Sequence, residues 1–251
     1  MSDRLSAETI KEYAGSWWSN IAISEQTQST NTDAMRAAGN VAGEGFVFIT
    51  DHQVGGRGRL DRRWETPPGE AVTMSILLRP KRDLTDWSWI SMIAGLAVSR
   101  AISKWVSPVW LKWPNDVLVG DLKVAGILSE VSGDAVVVGI GMNVNQTELP
   151  LETATSMRKL AGQEFDRNLV AGSTLQEFAR LYKDWLIDDS TVRTAYREAC
   201  RTIGQMVQVK VADRTVAGIA TAVDDFGRIV VNGEAFSAGD VVQLNPDNVG
   251  K

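Results

Sequence analysis

An arginine-rich loop between two apolar segments constrains the fold of this chain more than any other feature. The loop, residues 53–64, reads QVGGRGRLDRRW, and the segments beside it, 46–51 and 71–80, have the apolar, β-branched composition of strands. Flanking strands fix both ends of such a loop, so it can carry function. Glycine lets the backbone approach a ligand closely, and guanidinium groups bind carboxylate or phosphate. We therefore predict that the loop binds an anionic reactant.

Composition excludes several classes of site. The 251 residues carry a net charge of −5, from 26 basic and 31 acidic side chains, which argues against a nucleic-acid-binding protein with a basic face. A single cysteine, Cys200, rules out an intrachain disulfide and a cysteine-built metal site. A single histidine, His52, rules out the usual multi-histidine zinc centre.

Membrane and export signals are not found in the sequence. No apolar run reaches the length that a transmembrane helix needs, and residues 1–10 lack the basic and apolar regions of a signal peptide. We expect a cytoplasmic protein.

Patterning predicts a mixed α+β architecture for the first 200 residues. A helix ending at Gly39 can be capped by Ser29, Thr30 or Asn31, and a Gly120-Asp121 turn indicates a hairpin. The other predicted strands cover 21–25, 45–51, 71–80, 109–113, 116–119, 122–131 and 134–145. The other predicted helices cover 6–13, 86–105, a segment opened by a capping box at Ser173 and Gln176, and 191–200.

Beyond residue 200 the pattern changes to short alternating strands separated by turns, including an Asn232-Gly233 hairpin signal. Such a series predicts a small β-barrel. We therefore expect a larger α+β unit over 1–200 and a barrel over 201–251.

Two further cationic segments accompany the arginine loop. Lys112 and Lys123 are eleven residues apart on strands that we take as adjacent and antiparallel, so they can converge with Arg57 and Arg59. Asp116 would then be a magnesium ligand beside a bound nucleotide. Taken singly, each lysine is better explained as a solvated strand residue and Asp116 as the start of a turn. Together they predict a pocket for phosphate chemistry.

Common nucleophile and nucleotide motifs do not occur. The sequence has neither a G-x-x-x-x-G-K-[ST] loop nor a G-x-S-x-G turn. Cys200 has no evident basic partner, and a lone histidine such as His52 is usually structural. The residues alone therefore predict an anion-binding, nucleotide-using enzyme that works through fixed positive charge and positioning.

The chain resembles the biotin protein ligases in several motifs, in the same order and at the same spacing across nearly its whole length. The motifs are QSTN at 28–31, GRGR at 56–59 with Arg62 and Trp64, KWPND at 112–116, KVAGILSE at 123–130, GIGMNVN at 139–145 and SAGDVVQL at 237–244.

The resemblance implies a two-step reaction. Biotin and MgATP give biotinyl-5′-AMP and pyrophosphate, and the biotinyl group then passes to a lysine of a biotin carboxyl carrier domain of acetyl-CoA or another biotin-dependent carboxylase. It implies an α+β fold, with a mixed sheet like that of class II aminoacyl-tRNA synthetases, helices on one side and a C-terminal SH3-like barrel. It also implies a monomer or weak homodimer that does not bind DNA, since the chain starts at the catalytic domain.

Site roles follow from the same resemblance. It implies biotin contacts for Ser29, Thr30, Asn31, Gln53, Gly56, Arg57, Gly58, Arg59, Lys123 and Gly139. It implies ATP or adenylate contacts for Arg57, Arg59, Trp64, Lys112, Asn115, Asp116, Lys123 and Asn143. Lys123 ranks first for catalysis, followed by Arg57, Arg59 and Lys112. In this assignment Gly139 leaves space beside biotin, Asp116 meets magnesium or a lysine, and Asn31 has the alternative of only capping its helix.

One departure concerns the loop, which commonly reads GRGRRGR in the family and has Leu60 and Asp61 here. An acidic residue beside the arginines would affect loop closure rather than the reaction type. Two other functions stay open at this point: a lipoate or octanoate ligase or transferase of the same superfamily, and a biotin sensor without catalysis.

Overall fold

The computed structural model describes residues 4–39, 42–59, 62–211, 214–237 and 239–243, which form six α-helices and twelve β-strands. Leu60 and Asp61, the loop positions that depart from the family pattern, lie outside the described residues. So do Ala238 and Leu244 of the last motif.

A seven-stranded mixed sheet forms the larger part of the molecule, in the order β1-β2-β3-β7-β6-β5-β4. Only β1 and β2 pair in parallel, and the other neighbours are antiparallel. The hairpin predicted at Gly120-Asp121 is confirmed as β5 and β6. The strands are β1 (Asn20–Thr27), β2 (Phe46–Gln53), β3 (Ala71–Leu78), β4 (Val109–Lys112), β5 (Asp116–Val119), β6 (Leu122–Ser132) and β7 (Ala135–Asn143).

Six helices pack around this sheet: α1 (Ala7–Ala14), α2 (Thr30–Ala38), α3 (Ser88–Ile102), α4 (Met157–Ala161), α5 (Arg167–Ile187) and α6 (Ser190–Ala199). Of the three candidate caps of α2, Ser29 is the one used, since its hydroxyl accepts from the Thr32 amide at 3.4 Å. Within the described segments, none of these helices is long and apolar enough to cross a membrane.

The predicted start of α5 was wrong. The helix begins six residues before Ser173, at Arg167, because the Asp166 carboxylate accepts from the Asn168 amide at 2.8 Å and caps it there. Ser173 is buried inside the helix and does not form a capping box. A local capping signal was overridden by a stronger one upstream.

The two faces of the large sheet have different coverings. Alternate side chains of β3, such as Met74 and Ile76, join the main core, which also contains the apolar residues of α1, α3 and α5. Leu77 points the other way and packs with Val137 and Ala34 of α2. The expectation of helices on one side only is therefore wrong for α2, which lies on the opposite face. That second face also carries the functional cavity.

A five-stranded antiparallel sheet follows, in the order β11-β10-β9-β8-β12. Its strands are β8 (Met206–Val211), β9 (Arg214–Val223), β10 (Ile229–Val231), β11 (Glu234–Phe236) and β12 (Asp240–Gln243). Asn232 and Gly233 have φ values of 53° and 79° and connect β10 to β11. Positive φ at both central residues is what a tight hairpin turn requires, so the Asn-Gly prediction is confirmed.

One turn of the small sheet fastens it to the large one. Three consecutive carbonyls, those of residues 225–227, accept hydrogen bonds from Trp89 Nε1 at 2.9 Å, Ser88 Oγ at 2.7 Å and Trp113 Nε1 at 2.9 Å. Trp113 lies directly after β4, in the KWPND motif. The small sheet is thus bonded both to α3 and to a segment that lines the cavity.

Substituting Gly227 tests this attachment. Gly227 has φ of 74°, and an added Cβ would lie 2.8 Å from Met92 Cε, whereas Gly233 has a similar φ with open space around it. We expect Gly233→Ala to lower the free energy of unfolding by about 1–2 kcal/mol through backbone strain. Gly227→Ala should lower the free energy of unfolding by at least about 1 kcal/mol more than Gly233→Ala does, because the added methyl group overpacks the contact with Met92. Urea denaturation measures both, and equal losses would contradict a close fit of this turn against α3.

Candidate active site

A cavity of about 810 Å³ opens on the face of the large sheet that carries α2. The sheet surface beneath the cavity is recessed because small residues occupy positions that face the cavity. Gly139 and Gly141 lie on β7, and Gly141 has Thr73 of β3 and Gly126 of β6 as its registered partners. Three adjacent strands therefore present small residues, and the space above them is of the size that holds a cofactor-sized ligand.

The cavity brings together all but one of the predicted site residues. Those that line it are Ser29, Thr30, Asn31, Gln53, Arg57, Gly58, Arg59, Trp64, Lys112, Asn115, Asp116, Lys123, Gly139 and Asn143. The exception is Gly56, a loop residue that does not line the cavity. An added Cβ at Gly56 would collide with Trp64 O and Gln53 Nε2. Its glycine is therefore required for packing of the loop.

The arginine loop folds back on itself as a small hairpin. The Gly58 amide donates to Arg62 O at 2.6 Å, and the Trp64 amide donates to Gly56 O at 3.0 Å. Arg57 forms a 3.3 Å ion pair with Glu130 of β6, and Arg59 donates to a backbone carbonyl at 3.4 Å. The Arg59 acceptor is Gly239 O, in the small sheet. The loop thus spans the cavity mouth from the large sheet to the small one.

Trp64 lies on the floor of the cavity. An added Cβ at Gly141 would collide with its indole ring, and one at Gly126 would lie 3.3 Å from Cζ3. The Trp64 indole ring therefore packs directly against Gly126 and Gly141, where a larger residue would not fit. Its Nε1 is buried and has no acceptor among the described residues. A buried donor without a partner is rare, and this one is available to a ligand acceptor.

Lys123 is placed by both its backbone and its side chain. The pairing of β5 with β6 shifts by one residue beside it, leaving a bulge at Val124. Its amide donates to Thr153 O at 2.8 Å, and its carbonyl accepts from the Thr155 amide at 2.8 Å. Its Nζ lies 2.6 Å from Asp116 Oδ1 and 5.8 Å from the centre of the Trp64 ring. Bulges are frequent where a strand directs a functional side chain.

Lys112 reaches the same cavity by a different route from the one predicted. It ends β4, and β5 lies between that strand and β6, so the two lysines are not on adjacent strands. Their convergence depends on the Asn115 turn, whose Nδ2 donates to Ile127 O at 3.0 Å.

A buried hydrogen-bond network forms the α2 end of the floor. Gln53 Oε1 accepts from the Thr30 amide at 2.9 Å and lies 3.3 Å from the Thr30 hydroxyl. The Ser75 hydroxyl lies 2.7 Å from Thr30 Oγ1 and 2.6 Å from Asn31 Oδ1. Satisfied networks of this kind make a site rigid.

Asn31 does not cap its helix, so that alternative was wrong. Its Nδ2 donates to Leu128 O at 3.2 Å and to Glu130 Oε2 at 2.7 Å. An added Cβ at Gly139 would collide with its Oδ1. The space that Gly139 provides is therefore filled by Asn31, and not left open as the sequence interpretation had it.

Asn143 is buried, and both ends of its amide are used by the protein. Its Nδ2 donates to Thr155 O at 3.0 Å, and its Oδ1 accepts from Gln146 Nε2 at 3.1 Å. Through these bonds it holds the segment that pairs with Lys123.

Several lining residues had not been identified from the sequence: Thr73, Gly126, Gly141, residues 149–151, 153 and 154, and Gly239. Nor had Ser75 and Glu130, which contact lining residues. Thr73 and Ser75 interrupt an otherwise apolar strand, and this polar alternation was a usable signal. Residues 149–154 carry no local signal, because only their pairing with Lys123 places them.

The lone cysteine and histidine do not line the cavity. Burial raises the pKa of the Cys200 thiol above its ordinary value, so it stays protonated and unreactive. In the described part of the chain, no three Cys, His, Asp or Glu side chains are grouped so that they could bind a metal ion.

Comparison with known proteins identifies the family. Residues 23–146 match the biotin/lipoate A/B protein ligase family, and residues 202–242 match the biotin protein ligase C-terminal domain. The chain is 37% identical to the biotin–[acetyl-CoA-carboxylase] ligase of Mycobacterium tuberculosis, over 92% of this chain and 91% of that protein. The chain belongs to the biotin protein ligase family.

Other members of the biotin protein ligase family agree in sequence and in fold. The bifunctional ligase/repressor BirA of Bacillus subtilis is 33% identical over 81% of this chain, which spans 66% of that protein's length. The structure of the Aquifex aeolicus biotin protein ligase in complex with biotin and ATP superposes with a TM-score of 0.81 at 26% identity. It covers 90% of this chain and 100% of that one. The predicted fold class is thereby confirmed.

Gly141→Ala tests whether the Trp64 ring of this ligase packs against the paired glycines. The added methyl group should force the indole off the floor and shift its ¹⁵N–¹H resonance, assigned with Trp64→Phe. Gly95→Ala is the control, because a Cβ there meets Leu111 at an ordinary 3.5 Å, and it should leave the resonance unchanged. An unshifted resonance in Gly141→Ala would show that the ring does not rest on the paired glycines.

Proposed function

We propose that this chain attaches biotin to a specific lysine of biotin carboxyl carrier domains, through a biotinyl-5′-AMP intermediate. The observation that carries the proposal is the arrangement of Arg57, Arg59, Lys112 and Lys123 around one cavity above the large sheet, in a member of this family. The C-terminal match to biotin protein ligases favours biotin over lipoate or octanoate.

The first step explains why so many cations are needed. A biotin carboxylate oxygen attacks the α-phosphorus of ATP, a mixed anhydride forms, and pyrophosphate leaves. Two anions must come together, and further charge develops on the phosphate oxygens. Cations fixed in a site that excludes water stabilise such a transition state with little reorganisation. Lys123 is our first choice for this role, with Arg57, Arg59 and Lys112 around it.

The position of Lys123 supports that choice. Its Asp116 partner holds Nζ inside the cavity at 2.6 Å, and hydrogen bonds of 2.8 Å to residues 153 and 155 fix its backbone. A fixed ammonium group loses little freedom when substrates arrive, so more of the interaction is available to the transition state.

The uncharged end of the cavity suits the ring of biotin. Thr30 and Gln53 offer amide and hydroxyl groups to a ureido ring, beside Asn31, which covers Gly139. Ser29 and Gly58 line the same space. Trp64 and Asn115 would bound the adenylate at the other end, where Trp64 Nε1 is a buried donor without an acceptor among the described residues.

Magnesium is inferred from the nucleotide. Glu65, Asp116 and Asp121 line the cavity, and Asp116 is the one paired with Lys123; the described residues contain no group of three ligands. This fits Mg²⁺, which nucleotide sites hold through one or two carboxylates together with phosphate oxygens and water. The Asp116 carboxylate would be shared between the ion and the Lys123 ammonium group, and the ion would neutralise charge on the phosphates.

In the second step the amine of the carrier lysine attacks the acyl carbon, an amide bond forms, and AMP leaves. The Mycobacterium tuberculosis relative is named for acetyl-CoA carboxylase, and we infer the same class of acceptor here. The lack of DNA binding, the monomeric or weakly dimeric state and the cytoplasmic location stay predictions.

We infer a catalytic unit over 1–200 and a barrel unit over 201–251. The end of α6 at Ala199 and the start of β8 at Met206 support this division, as does the family match over 202–242. Gly239 and Val241 line the cavity, so the barrel unit would contribute a wall to it.

A carrier assay tests the function. We expect that biotin, MgATP and an apo carrier domain, incubated with the protein, give a carrier heavier by one biotinyl group in mass spectrometry. A lipoyl or octanoyl adduct in parallel incubations would contradict the biotin assignment. A carrier of unchanged mass with folded protein would indicate a binding protein without ligase activity.

Lys123→Ala tests the main catalytic residue. We expect biotinyl-AMP formation to slow by at least about 100-fold, since a preorganised positive charge is lost from the transition state. Single-turnover assays with radiolabelled ATP measure the rate. Lys104→Ala, at an exposed lysine in the turn after α3 and outside the cavity, is the control and should react at the wild-type rate. A normal rate in Lys123→Ala would assign the role to another cation.

Arg57→Ala tests retention of the intermediate. Loss of one charge-assisted contact should raise the release rate of biotinyl-AMP by about tenfold and slow its formation by at least about tenfold. Release is measured by transfer of labelled intermediate to a trap protein. An unchanged release rate would show that Arg57 does not hold the intermediate.

A further inference from the structure

Glu130 is a charged residue at the cavity whose function the reaction does not require directly. Its Oε1 lies 3.3 Å from Arg57, and its Oε2 accepts from Asn31 Nδ2 at 2.7 Å. We propose that Glu130 is a positioning residue that holds the Arg57 guanidinium at the cavity until an anionic substrate takes its place. The proposal rests on the function proposed above.

The position of Glu130 is itself fixed. It lies on β6, where it pairs with Val137 of β7, and Asn31 bonds its carboxylate to the start of α2. Asn31 is buried and is held in turn by Leu128 O at 3.2 Å and by Ser75 Oγ at 2.6 Å. The carboxylate is therefore a rigid acceptor attached to the same network that lines the predicted biotin end.

Arg57, in contrast, has little else to hold it. It lies between Gly56 and Gly58, and its side chain is 54% exposed, whereas that of Glu130 is 29% exposed. A long side chain on a glycine-flanked loop samples many conformations when it has no partner. The ion pair restricts Arg57 to conformations that face the cavity, so less ordering remains when substrates bind.

The same pair can exchange its partner. A half-exposed ion pair is weak, because water competes for both groups. A carboxylate or phosphate that enters the cavity can thus take Arg57 from Glu130. Lys123 and Asp116 show the same arrangement, a cation kept in place by a protein carboxylate before the ligand arrives.

Glu130→Gln tests the proposal, because glutamine keeps the shape and the bond to Asn31 but removes the charge that holds Arg57. The rate of biotinyl-AMP formation is measured in the wild-type and Arg57→Ala backgrounds. We expect Glu130→Gln to slow it about tenfold in the wild type and less than about twofold in Arg57→Ala. A tenfold loss in both backgrounds would overturn the proposal, since Glu130 would then act independently of Arg57. So would no loss in either.

Glu177→Gln is a matched control. Glu177 also pairs with an arginine, Arg180, at 2.9 Å, and the two side chains are 28% and 49% exposed, close to the values for Glu130 and Arg57. Both lie on α5 and outside the cavity. This variant should form biotinyl-AMP at the wild-type rate, and a comparable slowing would show that the Glu130 effect is not specific to the site.

A measurement without ligands separates this proposal from the proposed function. Amide hydrogen exchange in the loop, at the hydrogen-bonded amides of Gly58 and Trp64, should become at least about threefold faster in Glu130→Gln. Unchanged exchange would overturn the positioning role, even if the ligase reaction is confirmed. If the wild-type protein forms no biotinyl-AMP, the proposed function fails, and exchange alone decides the role of Glu130.

Discussion

The ion pair between Lys123 and Asp116 joins the parts of the molecule on which the cavity depends. It connects β6 to β5, and the Lys123 backbone also pairs with residues 153–155. Trp64 of the arginine loop lies 5.8 Å from the same ammonium group. The large sheet, the arginine loop and residues 153–155 therefore all come together at Lys123. Because the pair holds the ammonium in the cavity, the positive field exists before any substrate binds.

The fold leaves space around this charge because small side chains occupy one face of the large sheet. Serine and glycine occupy the inward positions on β3, β6 and β7, where the opposite face carries methionine, valine and isoleucine. Two of the glycines are then covered by the protein's own side chains, Gly139 by Asn31 and Gly141 by Trp64. The site is thus shaped by small residues and fixed by polar contacts, as a reaction without a covalent nucleophile requires.

Local signals in the sequence were sufficient for most of the architecture. Gly120-Asp121 and Asn232-Gly233 fixed two hairpins, because such turns specify both strands around them. Apolar spacing located α3, since a buried helix repeats at a fixed period. Of the site residues named from the resemblance, all but Gly56 line the cavity. In each case the information lies within a few residues of the feature.

Features that depend on contacts between residues far apart in the sequence could not be predicted from local signals. The bulge at Val124 and its partners at 153–155 arise from pairing between segments about 30 residues apart. Asn31 was assigned to capping or biotin because its acceptor, Glu130, is 99 residues away. The face on which α2 packs likewise follows from tertiary contacts rather than from the helix itself.

The central claim is that one cationic cavity overcomes the repulsion between a carboxylate and ATP. Exchange of labelled pyrophosphate into ATP tests it most directly, with biotin compared to biotinol, which has an alcohol in place of the carboxylate. The account predicts exchange with biotin and only background exchange with biotinol or with no vitamin. Exchange that does not depend on the carboxylate, or none with biotin in the folded protein, would contradict it.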